Sequence, residues 1–546
     1  MLLGIPSVAL ASNHQVAILQ DDTNVLQNPG LTLAEMRHLG VEMVRVTVRW
    51  SYIAPSGGSR HRPSFNAADP NAYPARNWAP YDAIVRNADA DGIKVLFVLS
   101  GFAPLWAQGP NPGRFAAKYN QNFAFEPSAA QFAQFVRAVG TRYSGTFKPR
   151  EASSPLPRVS YWELWNEPNF GEDLAPQAID GSRVLYAPRM YRALANAAWK
   201  ALGATGHGTD TTIIGALAAK GAQTKPSGLA RQGLPGTYGE TKPLVFIREL
   251  YCLDPAYHPY RGAAAAVRAC PTTRARSRRF RAQNPALFKS SGFSDHPYML
   301  STGRPPTQVD SKDPSYAEFA ELPRFARSLD RIQRVYHSGK RFAIWNTEYG
   351  YLSNPPNRSH GYVSPATAGY YDNWAEYISW RNPRIASTMQ YLLYDPNPTI
   401  GTPEYGGFAS GLVFYPTVMG GGPKATYYDY RLPIYLPRTT TKHGRALEVW
   451  GAVRPAPYAL LDTGQTQYVQ IQWAPGSSGS WQALQTLPIT DPHGYFDRRI
   501  VLPGSGRVRI SWTYPPLDGR LSSTLVTGYT EPLGATSSRT VPVTIR

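Results

Sequence analysis

Cysteine is scarce in this chain of 546 residues: only Cys252 and Cys270 occur. The C-terminal stretch beyond residue 430 therefore has no pair for an immunoglobulin-type disulfide. Charged residues are also few, 17% against 42% hydrophobic, and with 50 Pro and 47 Gly this excludes a disordered chain and describes a loop-rich globular one. No apolar run reaches about 18 residues, so no membrane span is expected. Two further absences matter. No Gly-x-Gly-x-x-Gly follows the first strand-like segment, which counts against a doubly wound dinucleotide-binding sheet. No spacing of ligands indicates a metal site, and no cofactor is expected.

Acidic residues are outnumbered, 37 against 56 Lys and Arg, for a net charge of +19. The basic residues are dispersed and no nucleic-acid-binding motif accompanies them, so nucleic acid is not an expected partner. An alkaline extracellular protein fits this balance, and so does contact with an anionic glycan or a cell envelope. One cluster stands apart: Arg261 to Arg281 holds seven Arg, Cys270 and no acidic residue. Cys252 and Cys270 would staple a loop in an exported protein and would be buried thiols in one that stays inside. The opening MLLGIPSVALAS ends in Ala9-Leu10-Ala11, like the tail of a secretory signal without its charged start. Residues 1 to 12 are therefore read as a leader remnant, the protein as secreted, and the two cysteines as a disulfide. Aromatics, at 12%, are abundant, and rings pack on the apolar faces of sugars.

Strand-like and helix-like segments alternate along most of the chain. QVAILQDD (15 to 22) and VEMVRVTVRW (41 to 50) read as the first two strands, the second placing Val44, Val46 and Val48 on one face and Arg45, Thr47 and Arg49 on the other. Further strands are expected at 93 to 107, 159 to 169, 211 to 219, 291 to 300, 340 to 351 and 385 to 396, with helical patterns between them. An irregular insertion around 220 to 290 carries the arginine cluster. Eight such repeats predict a (β/α)8 barrel over residues 13 to 430. From 431 to 546 short alternating strands with Gly/Pro turns and no helix predict an antiparallel β-sandwich accessory domain.

Barrel active sites are built at the carboxyl ends of the strands, which draws attention to two glutamates flanked by aromatics there. These are Glu167 in YWELWNEPNF and Glu348 in AIWNTEYGY. Two facing carboxylates suit glycoside hydrolysis, one giving a proton to the leaving oxygen and one acting as nucleophile or base. WELWNEPN resembles the acid/base signature of clan A, the retaining (β/α)8-barrel glycoside hydrolases, and WNTEYG resembles that clan's nucleophile strand. VRVTVRW, APLWA and DHPY resemble further motifs of its families 39 and 5.

The resemblance implies that Glu167 is the general acid/base and Glu348 the nucleophile, with Asn166 donating to a sugar 2-hydroxyl. It implies that Arg45 and Tyr298 hold Glu348 ionised, and that His296 belongs to the same network or meets the sugar. Glu163, four residues deeper than Glu167, is expected to pair with Arg45 or Arg49 inside the barrel. Trp106 and Trp345 are candidate subsite walls. Where many relatives end the eighth strand in tryptophan, MQYLLYDP offers Gln390, Tyr391 and Tyr394, and Tyr391 is the residue expected to meet substrate. The strand-end Asp21, Asp22 and Asp395 are open to sugar hydroxyls or a stray cation. The expected protein is thus a monomeric retaining glycosidase of a carbohydrate substrate, the alternative being a catalytically silent barrel that binds glycans.

Overall fold

The computed structural model describes residues 15–110, 124–150, 152–179, 182–221, 239–299, 303–309, 312–356, 361–397, 408–515 and 534–546. The leader remnant and residues 222–238 of the insertion lie outside them. Eight strands, β1 (Val16–Gln20), β2 (Met43–Arg49), β3 (Lys94–Ser100), β4 (Tyr161–Leu164), β5 (Thr211–Ala218), β6 (Gly292–His296), β7 (Ala343–Asn346) and β8 (Ser387–Tyr391), form one sheet. Its order is β7-β6-β5-β4-β3-β2-β1-β8, a near-closed parallel barrel with helices between the strands. The period-two pattern of β2 becomes a division of faces. Val44, Val46 and Val48 are fully buried opposite Arg45, each contributing about 1.5–3 kcal/mol by leaving water.

Local chemistry sets where the elements stop. Pro29–Leu39 ends at Gly40, whose φ is 81°, and a Cβ there would meet the Arg454 carbonyl. Ser128 caps Ala129–Arg142, which buries Phe132, Phe135, Val136 and Val139. The barrel strands are all shorter than the sequence suggests, and two show the cause. The apolar run through residue 107 leaves the sheet after Ser100, because Gly101 turns with φ 69° against Arg49. The fourth strand stops at Leu164, before Pro168, where Trp165 takes φ 76° and Glu167 takes φ 35°.

The chain divides into two compact units. One, Val44–Tyr298 with Val309–Tyr349, contains the candidate catalytic pair. The other holds the remaining described residues, among them β1, β8 and the C-terminal sheets. Those sheets comprise β9 (Ile434–Tyr435), β10 (Thr440–Thr441), β11 (Leu447–Ala452), β12 (Tyr468–Pro475), β13 (Gln482–Pro488), β14 (Tyr495–Ile500), β15 (Gly506–Thr513), β16 (Ala535–Ser537) and β17 (Val541–Ile545). β10, β17, β15, β12 and β13 make one sheet, with β16 on β15; β14, β11 and β9 make the other. One core joins them, Val449 and Ile500 from the smaller sheet with Ile471, Ile510 and Val543 from the larger. Two details depart from expectation. β10 and β17 run parallel, and a helix, Ala456–Thr463, separates β11 from β12. Pro455 before it and Gly464 after it, at φ 67°, bound that helix.

Candidate active site

The loop after β4 is fixed by its backbone before any side chain acts. Glu167 donates its N–H to the Ala216 carbonyl at 2.9 Å. β5 bulges there: Gly215 has φ 113°, Ala216 has φ 47°, and a Cβ on Gly215 would come within 2.4 Å of the Ser294 carbonyl. Asn169 binds the same loop to β5, donating to the Ala218 and Thr241 carbonyls and accepting from Ala218 N–H, with no solvent exposure. Glu167 is thus held at the strand end by the neighbouring strand.

Arg45 organises the floor. Its Nε donates to Glu163 at 2.7 Å, Nη1 to Glu348 at 2.6 Å and Nη2 to the Asn166 carbonyl oxygen at 2.8 Å. Arg45 and Glu163 are wholly buried, so the pair depends on complete hydrogen bonding. Glu163 has it, since Ser294 and Thr347 both donate to its other oxygen, at 2.5 and 2.8 Å. Arg45, not Arg49, is therefore its partner. Tyr298 donates to Glu348 at 3.3 Å.

His296 Nδ1 lies 2.9 Å from Glu167 Oε1 and 3.7 Å from Glu348 Oε2. The nearest donor atoms of Glu167, His296 and Glu348 all fall within 4.8 Å of one another. Burial raises the Glu167 carboxyl to about 7; Arg45 opposes the shift and Glu172 adds to it. Burial also pushes His296 down to about 4, against the pull of Glu348. The imidazole is then neutral at pH 7. A neutral ring either donates a hydrogen from Nδ1 to the Glu167 carboxylate or accepts one from the acid, so it follows both protonation states.

The same three side chains are the one set of His and carboxylate donors among the described residues compact enough to ligate a metal ion. Arg45 sets a fixed positive charge 2.6 Å from Glu348, which disfavours a cation there.

The remaining sequence candidates fall in varied surroundings. Trp106 is half-buried in a short helical turn after β3, its Nε1 donating to Pro55 and its ring edge-on to Trp50 and Phe65. Trp345 shares strand parity with Thr347, so it points into the barrel, where a Cβ on Gly292 would strike its ring. Tyr391 ends β8 in the other compact unit, half-buried and edge-on to Phe408. Cys252 and Cys270 are joined as a disulfide within the insertion. Asp21 caps the helix after β1, and Asp395 pairs with Lys424 at 2.6 Å, so both serve structure.

Asp173 went unread in the sequence. Burial raises it well above the usual carboxyl range, Glu167 and Glu348 raise it further, and a hydrogen bond from Asn166 opposes them. Asn166 thus turns its side-chain carbonyl to Arg45 and one amide hydrogen to Asp173. Glu240, raised to about 7 first by burial and then by Glu167, is a further acid of this neighbourhood. No local motif marks either residue, because the folding of the loops brings them to Glu167.

A parallel β/α barrel with paired carboxylates after β4 and β7 is the class defined by this fold and site. No protein-family model matches the chain, and no curated protein does. Solved structures resemble it at a distance. A glucosidase from Croceicoccus marinus is 11% identical over 86% of this chain and 89% of its own, with a TM-score of 0.43. A family 1 β-glucosidase from Thermotoga maritima is 14% identical over 78% and 93%, at 0.41. An endo-β-1,4-mannanase from Thermotoga petrophila is 9% identical over 98% of each chain, at 0.37. The likeness to these glycosidases is one of coarse fold, and no residue's role follows from it.

Proposed function

We propose that the protein is a retaining glycosidase that cleaves β-glycosidic bonds of a polysaccharide or oligosaccharide. The observation carrying this reading is that carboxyl oxygens of Glu167 and Glu348 lie within 4.8 Å of each other. Retaining pairs stand about 5–5.5 Å apart and inverting pairs about 6.5–9.5 Å, the larger gap making room for a water. An approach of 4.8 Å or less between one oxygen of each group supports the shorter, retaining spacing.

In this reading Glu348, oriented by Arg45 and Tyr298, attacks the anomeric carbon while the glycosidic C–O bond breaks. Glu167, in its acid form, gives its proton to the departing oxygen. The product is a glycosyl ester on Glu348. Glu167, now a carboxylate, takes a proton from water, whose oxygen displaces Glu348 and restores the starting state. A pKa near 7 lets Glu167 fill both roles close to neutrality. An amide hydrogen of Asn166 donates to the sugar 2-hydroxyl as charge develops on the ring. We place the protein outside the cell, where the Cys252–Cys270 disulfide would persist.

A panel of aryl β-glycosides tests the reading. At least one should be hydrolysed, Glu348→Ala should abolish turnover, and azide should restore it by forming a glycosyl azide. A panel left intact by the wild-type protein leaves only the glycan-binding barrel.

A further inference from the structure

The arginine cluster lies far from the end of the barrel where the catalytic pair sits. Its helix, Arg274–Gln283, leads through Pro285–Lys289 into the amino end of β6. Arg281 donates to the carbonyl of His337, in the turn between helix Leu322–Val335 and the amino end of β7. Glu167 and Glu348 follow the carboxyl ends of β4 and β7. Parallel strands put these two ends on opposite faces of a barrel. The arginines of this cluster therefore form no basic subsite beside the catalytic pair.

They line a cavity of about 400 Å3 with Arg261, Arg274, Arg278, Arg281, Tyr336 and His337 on its walls. Arg274, Arg278 and Arg281 recur at helical spacing on one face. Arg268, from the same cluster, is neutralised by Glu249 at 2.8 Å. Arg274 and Arg278 are exposed and form no ion pair among the described residues. Like charges four apart on a helix repel, and a bound anion relieves that repulsion. Arginine presents paired N–H donors that match a carboxylate or a sulfate, and the Tyr336 ring supplies an apolar wall. A cavity of this size suits units of a flexible chain; a rigid duplex is met by an open basic surface.

We propose that this cavity is a docking site for an acidic polysaccharide chain, remote from the catalytic pair; the choice of a glycan rests on the glycosidase reading above. It would hold carboxylate or sulfate groups of a chain while another part is cleaved.

The test is binding by the full-length protein to polygalacturonate, dextran sulfate, a neutral dextran and duplex DNA, at two salt concentrations. Tighter binding to polygalacturonate identifies carboxylate as the anchored group, and tighter binding to dextran sulfate identifies sulfate. Arg274→Ser/Arg278→Ser should weaken the favoured acidic chain about tenfold or more. Arg438→Ser/Arg445→Ser, which removes the same charge elsewhere, should change it less than about threefold. Equal losses in the two variants, no binding to either acidic chain, or DNA binding as tight as theirs would overturn the proposal. Binding without hydrolysis of any glycoside would leave the docking site standing and remove the catalytic reading; hydrolysis without binding would do the reverse.

Discussion

Glu167→Gln separates the burial of this carboxyl from its chemistry. The native pKa is about 7, raised chiefly by burial, against an ordinary value of 4.5. Below about 4.5 both folded and unfolded chains hold the proton, and the contribution to stability is complete. As pH rises towards 7 the native state keeps a proton that the unfolded chain has released, so stability falls. Each pH unit in that window is worth about 1.4 kcal/mol, which gives about 2–3 kcal/mol between pH 5 and pH 8. Glutamine does not titrate. Glu240, whose own shift depends partly on Glu167, loses some of it in the variant, which enlarges the difference in the same direction. Urea unfolding of both proteins at pH 5, 6, 7 and 8 measures the effect. The wild type should lose about 2–3 kcal/mol relative to the variant across the series, and its kcat/KM should decline above about pH 7. A difference that stays constant from pH 5 to pH 8 would refute the raised pKa and the acid role built on it.

Arg45→Leu should cost about 3–5 kcal/mol in urea unfolding, because it strands the buried Glu163 carboxylate. Arg45→Leu/Glu163→Leu should recover most of that stability without recovering turnover, since Glu348 and Asn166 still lack their guanidinium partner. Cys252→Ser/Cys270→Ser should lower stability by about 3 kcal/mol, the chain-entropy value for a loop closed over a separation of 18 residues. Unfolding under matched non-reducing conditions would show it.

The barrel was legible because each βα unit carries its own periodicity, as VEMVRVTVRW does in dividing Arg45 from its valines. The same parity pairs Glu163 with an inward arginine. Where strands end was less visible. Hydrophobicity continues through APLWA and ELW, while the backbone turns at Gly101 and Trp165 against partners on other strands. The helix at Ala456–Thr463 was hidden among strand-like neighbours, although Pro455 and Gly464 mark its ends. Asp173, Glu240 and the Asn169 hydrogen bonds could not be read at all. Their importance comes from contacts between loops, which no local pattern encodes. For the same reason the place of the arginine cluster on the barrel followed from strand direction and not from its proximity in sequence to the site.

The central claim is that Glu348 is a nucleophile facing an acid at Glu167. Incubation with a panel of 2-deoxy-2-fluoro-β-glycosyl fluorides, followed by mass spectrometry of intact and digested protein, tests it most directly. One sugar should add a single glycosyl group, located on the peptide containing Glu348 and missing from Glu348→Gln. Label on another residue, or hydrolysis of a β-glycoside that first releases the α-anomer, would contradict it.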